Sequence, residues 1–355
     1  MKKVLVEIIL PVVALSLTHL VPSQVGSNRL DAELIEAAKT GDTEAVQRLL
    51  QKGANIEAKD GELGRTALLW AASEGKAEVV KLLLEKGASI EARDGEGYTA
   101  LLWATSEGKA EVVKLLLEKG ASIEARDSEG YTPLLWAIII GRTEAGELLL
   151  DKGANIEAKD NHANTALLWA VLSGRTEAVK LLLDKGSNIE AKDIEGFTAL
   201  VLAAERGGPE VVKLLLDKGA NIEAKGHSGR TALLWAACWS QPGLVKLLLD
   251  KGSDIEAKDD GGDTALLLAA ERGDPEVVKR LLDKGADIGA RNDSGKTALI
   301  WAATGPVDWP ELVKLLLDRG AKIDAKDNHG KTALDLATSM GHTGVVKLLR
   351  EKGAK

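Results

Sequence analysis

Apolar and polar positions follow one pattern along most of this chain, and the pattern returns every 33 residues. Residues 99–127 show it well. An apolar run of Ala-Leu-Leu-Trp-Ala ends near Gly108, and Glu-Val-Val-Lys-Leu-Leu-Leu follows and ends near Gly120. Apolar residues at i, i+3 and i+4 in the second run indicate an amphipathic helix. We therefore predict two short helices per unit, with Thr99 capping the first and Gly120 ending the second.

A Thr-Ala-Leu or Thr-Pro-Leu triplet opens each unit, and the last step is 35 residues instead of 33. Two neighbouring units, 66–94 and 99–127, differ at a single position. Helices this short are marginal alone, so each must bury its apolar face against its neighbours in a one-dimensional stack. The triplets begin at Thr66, Thr99, Thr132, Thr165, Thr198, Thr231, Thr264, Thr297 and Thr332.

These motifs resemble the ankyrin repeat family, whose unit reads Thr-Pro-Leu-His-x-Ala, a Gly, a Val-Val-x-Leu-Leu-Leu helix and Gly-Ala. The resemblance covers residues 30–355. It implies an all-α ankyrin-repeat solenoid of about ten helix-turn-helix units with extended β-turn or hairpin loops. The family's His hydrogen-bonds between repeats. Here it is replaced by Leu, Val, Ile or Asp, so the resemblance implies less directional cohesion between repeats. The replacements are Leu69, Leu102, Leu135, Leu168, Val201, Leu234, Leu267, Ile300 and Asp335.

The expected organisation has four parts. Residues 1–27 form an apolar leader, 28–61 an N-terminal capping repeat, 62–328 eight internal repeats, and 329–355 a C-terminal capping repeat. Both terminal units are more polar than the internal ones, as the ends of a stack require. Two extra residues fall at 305–309, where we expect a less regular loop between two helices.

The leader suggests export. Lys2 and Lys3 precede an apolar stretch from 4 to 21, which Glu7 and Pro11 interrupt. A basic start followed by a short apolar run is typical of a secretory signal peptide, so we expect a secreted protein. A membrane anchor remains an alternative, although a span needs about 20 apolar residues. An unprocessed leader on a cytoplasmic protein is the third possibility.

Composition and charge argue against most other classes of protein. The net charge is −8 and no basic face is evident, whereas nucleic-acid binding needs clustered Lys and Arg. A single cysteine, Cys238, excludes an internal disulfide and a multi-thiolate metal site. His162, His227 and His329 lie in turns of separate repeats, too far apart to share a metal ion. We therefore expect no catalytic site, no cofactor and no metal.

The favoured hypothesis is a monomeric, non-catalytic scaffold that binds another protein, of unknown identity, and neither nucleic acid nor a small-molecule substrate. A structural spacer without a specific partner is the alternative. In ankyrin proteins the residues before each Thr and at the end of the first helix face a concave groove. There we predict an apolar strip outside the inter-repeat core, so that truncating Tyr131 would barely alter helicity. The candidate partner-binding residues are Tyr98, Tyr131, Ile139, Ile140, Leu172, Phe197, Arg230 and Trp239.

The apolar strip and a row of tryptophans each allow two interpretations. The strip could reflect drift at surface positions of recently duplicated repeats. A row of tryptophans at one motif position could fill the space between successive first helices, or it could form an exposed aromatic row. These are Trp70, Trp103, Trp136, Trp169, Trp235 and Trp301.

Overall fold

A computed structural model of the chain describes residues 29–61 and 63–355, and the leader at 1–27 lies outside them. In these residues the protein is all-helical. Twenty α-helices form ten consecutive pairs, numbered here as repeats 1 to 10, with one 3₁₀ turn at His227–Gly229. The only β pairing in this part of the chain is a single bridge between Lys326 and Thr332.

The helices follow the predicted order of a longer turn, a first helix, a short loop and a second helix. The first helices are α1 Arg29–Thr40, α3 Ala67–Ser73, α5 Ala100–Ser106, α7 Pro133–Ile140, α9 Ala166–Leu172, α11 Ala199–Arg206, α13 Ala232–Cys238, α15 Ala265–Arg272, α17 Ala298–Ala303 and α19 Ala333–Met340. The second helices are α2 Thr43–Gln51, α4 Ala77–Glu85, α6 Ala110–Glu118, α8 Thr143–Asp151, α10 Thr176–Asp184, α12 Pro209–Asp217, α14 Pro242–Asp250, α16 Pro275–Asp283, α18 Pro310–Asp318 and α20 Thr343–Glu351.

The chain divides into two compact units, Met1–Ser122 and Ile123–Lys355. The described part of the first unit holds repeats 1 to 3, and the second unit holds repeats 4 to 10. Within each unit the two helices of a repeat pack on each other, and each first helix packs on the first helix of the next repeat. Their shared core consists of small and branched apolar side chains, such as Leu102, Val113, Leu200 and Leu215.

The local signals in the sequence act as predicted. In repeat 3 the Thr99 hydroxyl accepts a hydrogen bond from the Leu102 N–H at 3.4 Å, and every repeat from 2 to 10 has the same cap. Gly120 follows the second helix with φ +88°, a conformation that favours glycine. Prolines stand at the first turn of α12, α14, α16 and α18, where the missing N–H has no helical partner to lose.

The longer loop predicted at 305–309 is present between α17 and α18. Its last residue, Trp309, lays its ring against Gly305 and against Gly273 of the preceding repeat, so closely that a Cβ on either glycine would overlap the ring. The two extra residues therefore lengthen the loop, and its Trp fills space in the second unit.

Apolar packing is not the only link between repeats, because recurring charged residues supply oriented contacts. The Glu of each Ile-Glu-Ala segment accepts a backbone N–H from the next repeat. Glu57 accepts from Ser89 in the first unit, and Glu124 accepts from Asn155 in the second, both at 2.7 Å. In the second unit a Lys–Asp ladder, with one Arg, adds a salt bridge at every step from repeat 4 to repeat 10. Its rungs are Lys185–Asp151, Lys218–Asp184, Lys251–Asp217, Lys284–Asp250, Arg319–Asp283 and Lys352–Asp318, at 2.6 to 3.3 Å.

Candidate protein-binding surface

A buried or half-buried carboxylate in the turn before the first helix organises the surface of most repeats. In repeat 3, Asp94 Oδ1 accepts the N–H groups of Glu96 and Tyr98 at 3.0 and 2.9 Å. Its other oxygen, Oδ2, accepts the Trp103 indole N–H at 2.8 Å. Trp70–Asp60, Trp136–Asp127 and Trp169–Asp160 repeat this bond at 2.7 to 2.8 Å. One carboxylate thus closes the turn and ties it to the first helix.

The tryptophan row fills space inside the stack and does not form an exposed aromatic row. Trp103, Trp136, Trp169 and Trp235 are buried, and Trp70 and Trp301 are half-buried. The carboxylates that accept from Trp103, Trp136 and Trp169 are buried with them, whereas Asp60 is half-buried. Burial raises the pKa of Asp127, and the hydrogen bonds from Trp136 and Tyr131 partly oppose that shift.

The aromatic residues before Thr also lie in the interior, so the expectation that they lie outside the inter-repeat core is wrong. Tyr98, Tyr131 and Phe197 are only 8, 3 and 2% exposed. Tyr131 lies between two indoles, with centroid distances of 5.2 Å to Trp136 and 5.8 Å to Trp169 of the next repeat. The Tyr131 side chain turns inward because the tryptophans of two repeats offer it an apolar surface. Burial also raises the pKa of Tyr131 well above its ordinary value.

Arg230 occupies the same position in repeat 7 and is half-buried. Its Nε lies 3.1 Å from Asp259 Oδ2 of repeat 8, and its Nη1 lies 3.3 Å from Cys238 Sγ. The guanidinium also lies over the Trp235 ring, 5.2 Å from the centroid. Arg65 in the first unit is similar, stacked 3.5 Å from the centroid of the Trp103 ring. Side chains at this position therefore mainly form contacts between repeats, and only part of the half-buried Arg230 side chain is accessible to a partner.

The remaining candidates lie at the ends of first helices in the second unit. Ile139 is buried, Ile140 and Leu172 are half-buried, and Trp239 is 50% exposed. Tyr98 belongs to the first unit, whereas the other seven candidates belong to the second. Of the eight, only Trp239 offers a partner a large exposed apolar surface.

Sequence reasoning missed a second exposed side chain, Ile194, which follows the turn carboxylate Asp193 in repeat 6. Ile194 is 72% exposed, although its backbone N–H is held by the His162 carbonyl of the preceding turn at 3.1 Å. The available signal was variation at the position directly after the turn carboxylate. The residues there in repeats 3 to 10 are Gly95, Ser128, Asn161, Ile194, His227, Asp260, Asp293 and Asn328.

Repeat 7 departs from the others around Trp239. Gly226 replaces the turn carboxylate, and the buried Trp235 Nε1 has no hydrogen-bond partner among the described residues. Ser228 and Ser240 adopt left-handed φ values of +58° and +54°, and Ser240 stands where most repeats have Gly. Each such residue costs about 1–2 kcal/mol of strain, and strain of this kind collects at functional sites.

Comparison with family models supports the same architecture. A model described as ankyrin repeats (3 copies) matches residues 34–127, 124–193, 188–259 and 266–355. The chain belongs to the ankyrin repeat family. Its fold is the all-α ankyrin-repeat solenoid predicted from the sequence. Comparison with curated proteins gives no match. Ankyrin repeats in general form protein–protein interaction scaffolds and are typically non-catalytic.

The described part of this ankyrin array contains no group of three or more His, Cys, Asp or Glu side chains that could hold a metal ion. None of its helices in that part has the length and apolar character needed to cross a bilayer. The histidine in the last repeat, His342, is buried with Nδ1 3.1 Å from the Ala303 carbonyl oxygen, which gives it a structural contact between repeats 9 and 10.

Proposed function

We propose that this ankyrin-repeat protein is a non-catalytic scaffold that binds another protein through repeats 5 to 7 of its second unit. The proposed contact surface, called here the tip-and-end surface, consists of turn tips and first-helix ends. Its members are His162, Leu172, Ile194, Arg206, His227 and Trp239. The observation that carries the proposal is the exposure of Ile194 and Trp239, at 72% and 50%, in neighbouring repeats.

Two physical arguments support this location. Exposed aromatic and aliphatic side chains surrounded by polar groups have the composition of binding hot spots, in which a few anchors carry most of the affinity. The tip-and-end surface also differs from repeat to repeat, while the caps, the glycines and the Lys–Asp ladder recur. Residues that the stack requires recur from repeat to repeat, so variation at exposed positions favours recognition of a partner over a uniform spacer.

Affinity capture with the full chain tests this function. The test variant is I194S/W239A, which removes both exposed anchors. The matched control is V307S/M340S, because Val307 and Met340 are the other two large apolar side chains that are exposed in the described residues, each 54%. We expect proteins captured by the wild type to be retained by the control variant and lost by the test variant. Equal retention by both variants would place the binding site elsewhere, and capture of nothing by the wild type would favour a spacer.

Export is a second element of the proposal, and it rests on residues 1–27. Lys2, Lys3 and the apolar stretch after them are the supporting features. We expect the mature protein to begin near Gln24 or Asn28, which mass spectrometry of the intact protein recovered outside the cytoplasm would show. An intact mass that still includes Met1 or Lys2 would contradict processing.

A further inference from the structure

Three exposed side chains occupy one structural position in three consecutive repeats of the second unit. They are Arg206, Trp239 and Arg272, each eight residues after the Thr that caps its first helix. We call them the Arg-Trp-Arg row. The three first helices, α11, α13 and α15, pack side by side. Helix axes in such contacts lie about 8–10 Å apart, so the three backbone positions that carry the row recur at that spacing.

Both arginines keep donors available. Arg272 lies with its guanidinium 5.6 Å from the Trp239 ring centroid and donates one N–H to Cys238 Sγ at 3.4 Å. Sulfur is a weak acceptor, and a guanidinium has five N–H donors. Arg206 forms no hydrogen bond or ion pair with another described residue, and its positive charge interacts with the adjacent Glu205 carboxylate. The arginines on both sides of the exposed Trp239 indole therefore have N–H donors available for carboxylate groups.

The separation of neighbouring repeats along the row favours one backbone conformation for a bound peptide. A polyproline II segment has three residues per turn and rises about 3.1 Å per residue, so its residues i, i+3 and i+6 share one side and lie about 9 Å apart. That interval matches the separation of neighbouring repeats. An α-helix, which rises about 1.5 Å per residue, would need six or seven residues to cover the same step.

We infer that the Arg-Trp-Arg row binds a polyproline II segment of a partner protein with an acidic residue, an apolar residue and a second acidic residue at every third position. Each carboxylate would accept N–H groups from one guanidinium, and the apolar side chain would cover the Trp239 ring. This inference rests on the proposed function and specifies the chemistry of its partner.

Charges around the row favour a peptide over an anionic membrane surface. The half-buried Glu205 and Glu271 lie one residue before each arginine, and Asp274 follows in the next loop. The whole chain also carries a net charge of −8. A bilayer would meet all of these charges at once, whereas a narrow peptide can place its two carboxylates on the exposed guanidinium groups alone.

Fluorescence anisotropy with the full chain and a labelled Glu-Pro-Pro-Phe-Pro-Pro-Glu peptide tests the inference. We expect saturable binding that weakens as salt rises. The R206E/R272E variant should lose at least tenfold in affinity, and W239A should lose a similar amount. The matched control K213E/K314E makes the same change in net charge on two exposed second-helix lysines and should stay within about twofold of wild type. Circular dichroism of each variant checks that the fold is kept.

Two peptide controls test the chemistry and the spacing. A peptide with Gln in place of both Glu residues, and one shortened to Glu-Pro-Phe-Pro-Glu, should each bind at least tenfold more weakly. The inference is overturned if the wild type does not bind the peptide, if the Gln peptide binds equally well, or if R206E/R272E binds normally. Binding to phosphatidylserine vesicles without binding to the peptide would also overturn it. If the captured proteins still depend on Ile194 and Trp239, the proposed function survives that failure.

Discussion

At the scale of single residues, the turn carboxylate has the widest influence on this fold. Asp127 accepts backbone N–H groups from Glu129 and Tyr131 and the indole N–H of Trp136, at 2.7 to 3.0 Å. Its equivalent in repeat 6, Asp193, accepts the backbone N–H groups of Glu195 and Phe197 but no indole N–H, because Leu202 replaces the Trp. The chain thus contains the same turn with and without the indole bond.

Replacing Asp127 by Ala should therefore destabilise the protein more than replacing Asp193 by Ala. Both changes leave turn N–H groups unpaired, but D127A also removes the carboxylate that accepts the buried Trp136 indole N–H. A buried donor without an acceptor costs about 1–3 kcal/mol. Urea denaturation followed by circular dichroism compares the two, and the D127A midpoint should be the lower. Equal midpoints would show that the indole bond contributes little.

These residues also show what the sequence could predict. The capping Thr and the Gly after each second helix act within a few residues of themselves, so their recurrence was enough to assign their roles. The direction of Tyr131 depends on Trp169, which lies in the next repeat. No local pattern distinguishes a residue that faces a groove from one that turns onto a neighbouring indole, and the predicted strip failed for that reason.

At the scale of helices, a glycine ends most first helices and makes room for the following repeat. Gly141 has φ +82° and lies under the Arg175 side chain, and Gly273 has φ +73° and lies under the Trp309 ring. Gly174 has φ +65° at the same position, but no other group lies within 4 Å of where its Cβ would be. Both the backbone conformation and close packing therefore require glycine at some repeats, whereas the backbone conformation alone requires it at others.

This difference gives a paired prediction. G174A should cost about 1 kcal/mol, since only the left-handed backbone is strained. G273A should cost more, because its methyl group must also displace a Trp ring from a packed position. Thermal unfolding of the two variants measures the difference. A larger loss for G174A would contradict the packing role of Trp309.

At the scale of the second unit, the Lys–Asp ladder makes stability depend on pH. The Lys hydrogen bond from the next repeat lowers the pKa of Asp184, Asp217 and Asp250. A carboxyl whose pKa is lowered by folding stabilises the folded state above its unfolded pKa, which is about 3.9. That contribution disappears as the pH falls through the folded pKa.

The triple variant D184N/D217N/D250N should accordingly be less stable than wild type at about pH 7, and the two should converge at about pH 2. The difference at neutral pH should shrink with added salt, because these groups are exposed. Urea midpoints at both pH values measure it. The matched control E129Q/E195Q/E210Q removes three carboxylates that form no ion pair among the described residues, and a pH-dependent loss of the same size there would contradict the role of the ladder.

Removing a whole repeat tests the additive character of the stack. Deletion of residues 165–197 joins Asn164 to Thr198 and removes one period of 33 residues. Because each repeat contacts its neighbours, helicity per residue should be kept while the denaturation midpoint falls. Deletion of residues 165–180 breaks the period and should cost far more helix. If the first deletion abolished most of the helical circular dichroism signal, a stack of equivalent repeats would be contradicted.

The ladder also bears on how such a chain can change over generations. Asp184 and Lys185 are adjacent, so one repeat supplies an acid to the repeat after it and a base to the repeat before it. A copying event that inserts 33 codons within the second unit therefore adds a repeat whose joints fit at once. The near identity of 66–94 and 99–127 is the trace that a copying event has left in another part of the chain. The Arg-Trp-Arg row is different, since it needs three particular repeats in order. Duplication and deletion can thus change the number of repeats freely, whereas selection for partner binding would preserve the order of the repeats around Trp239.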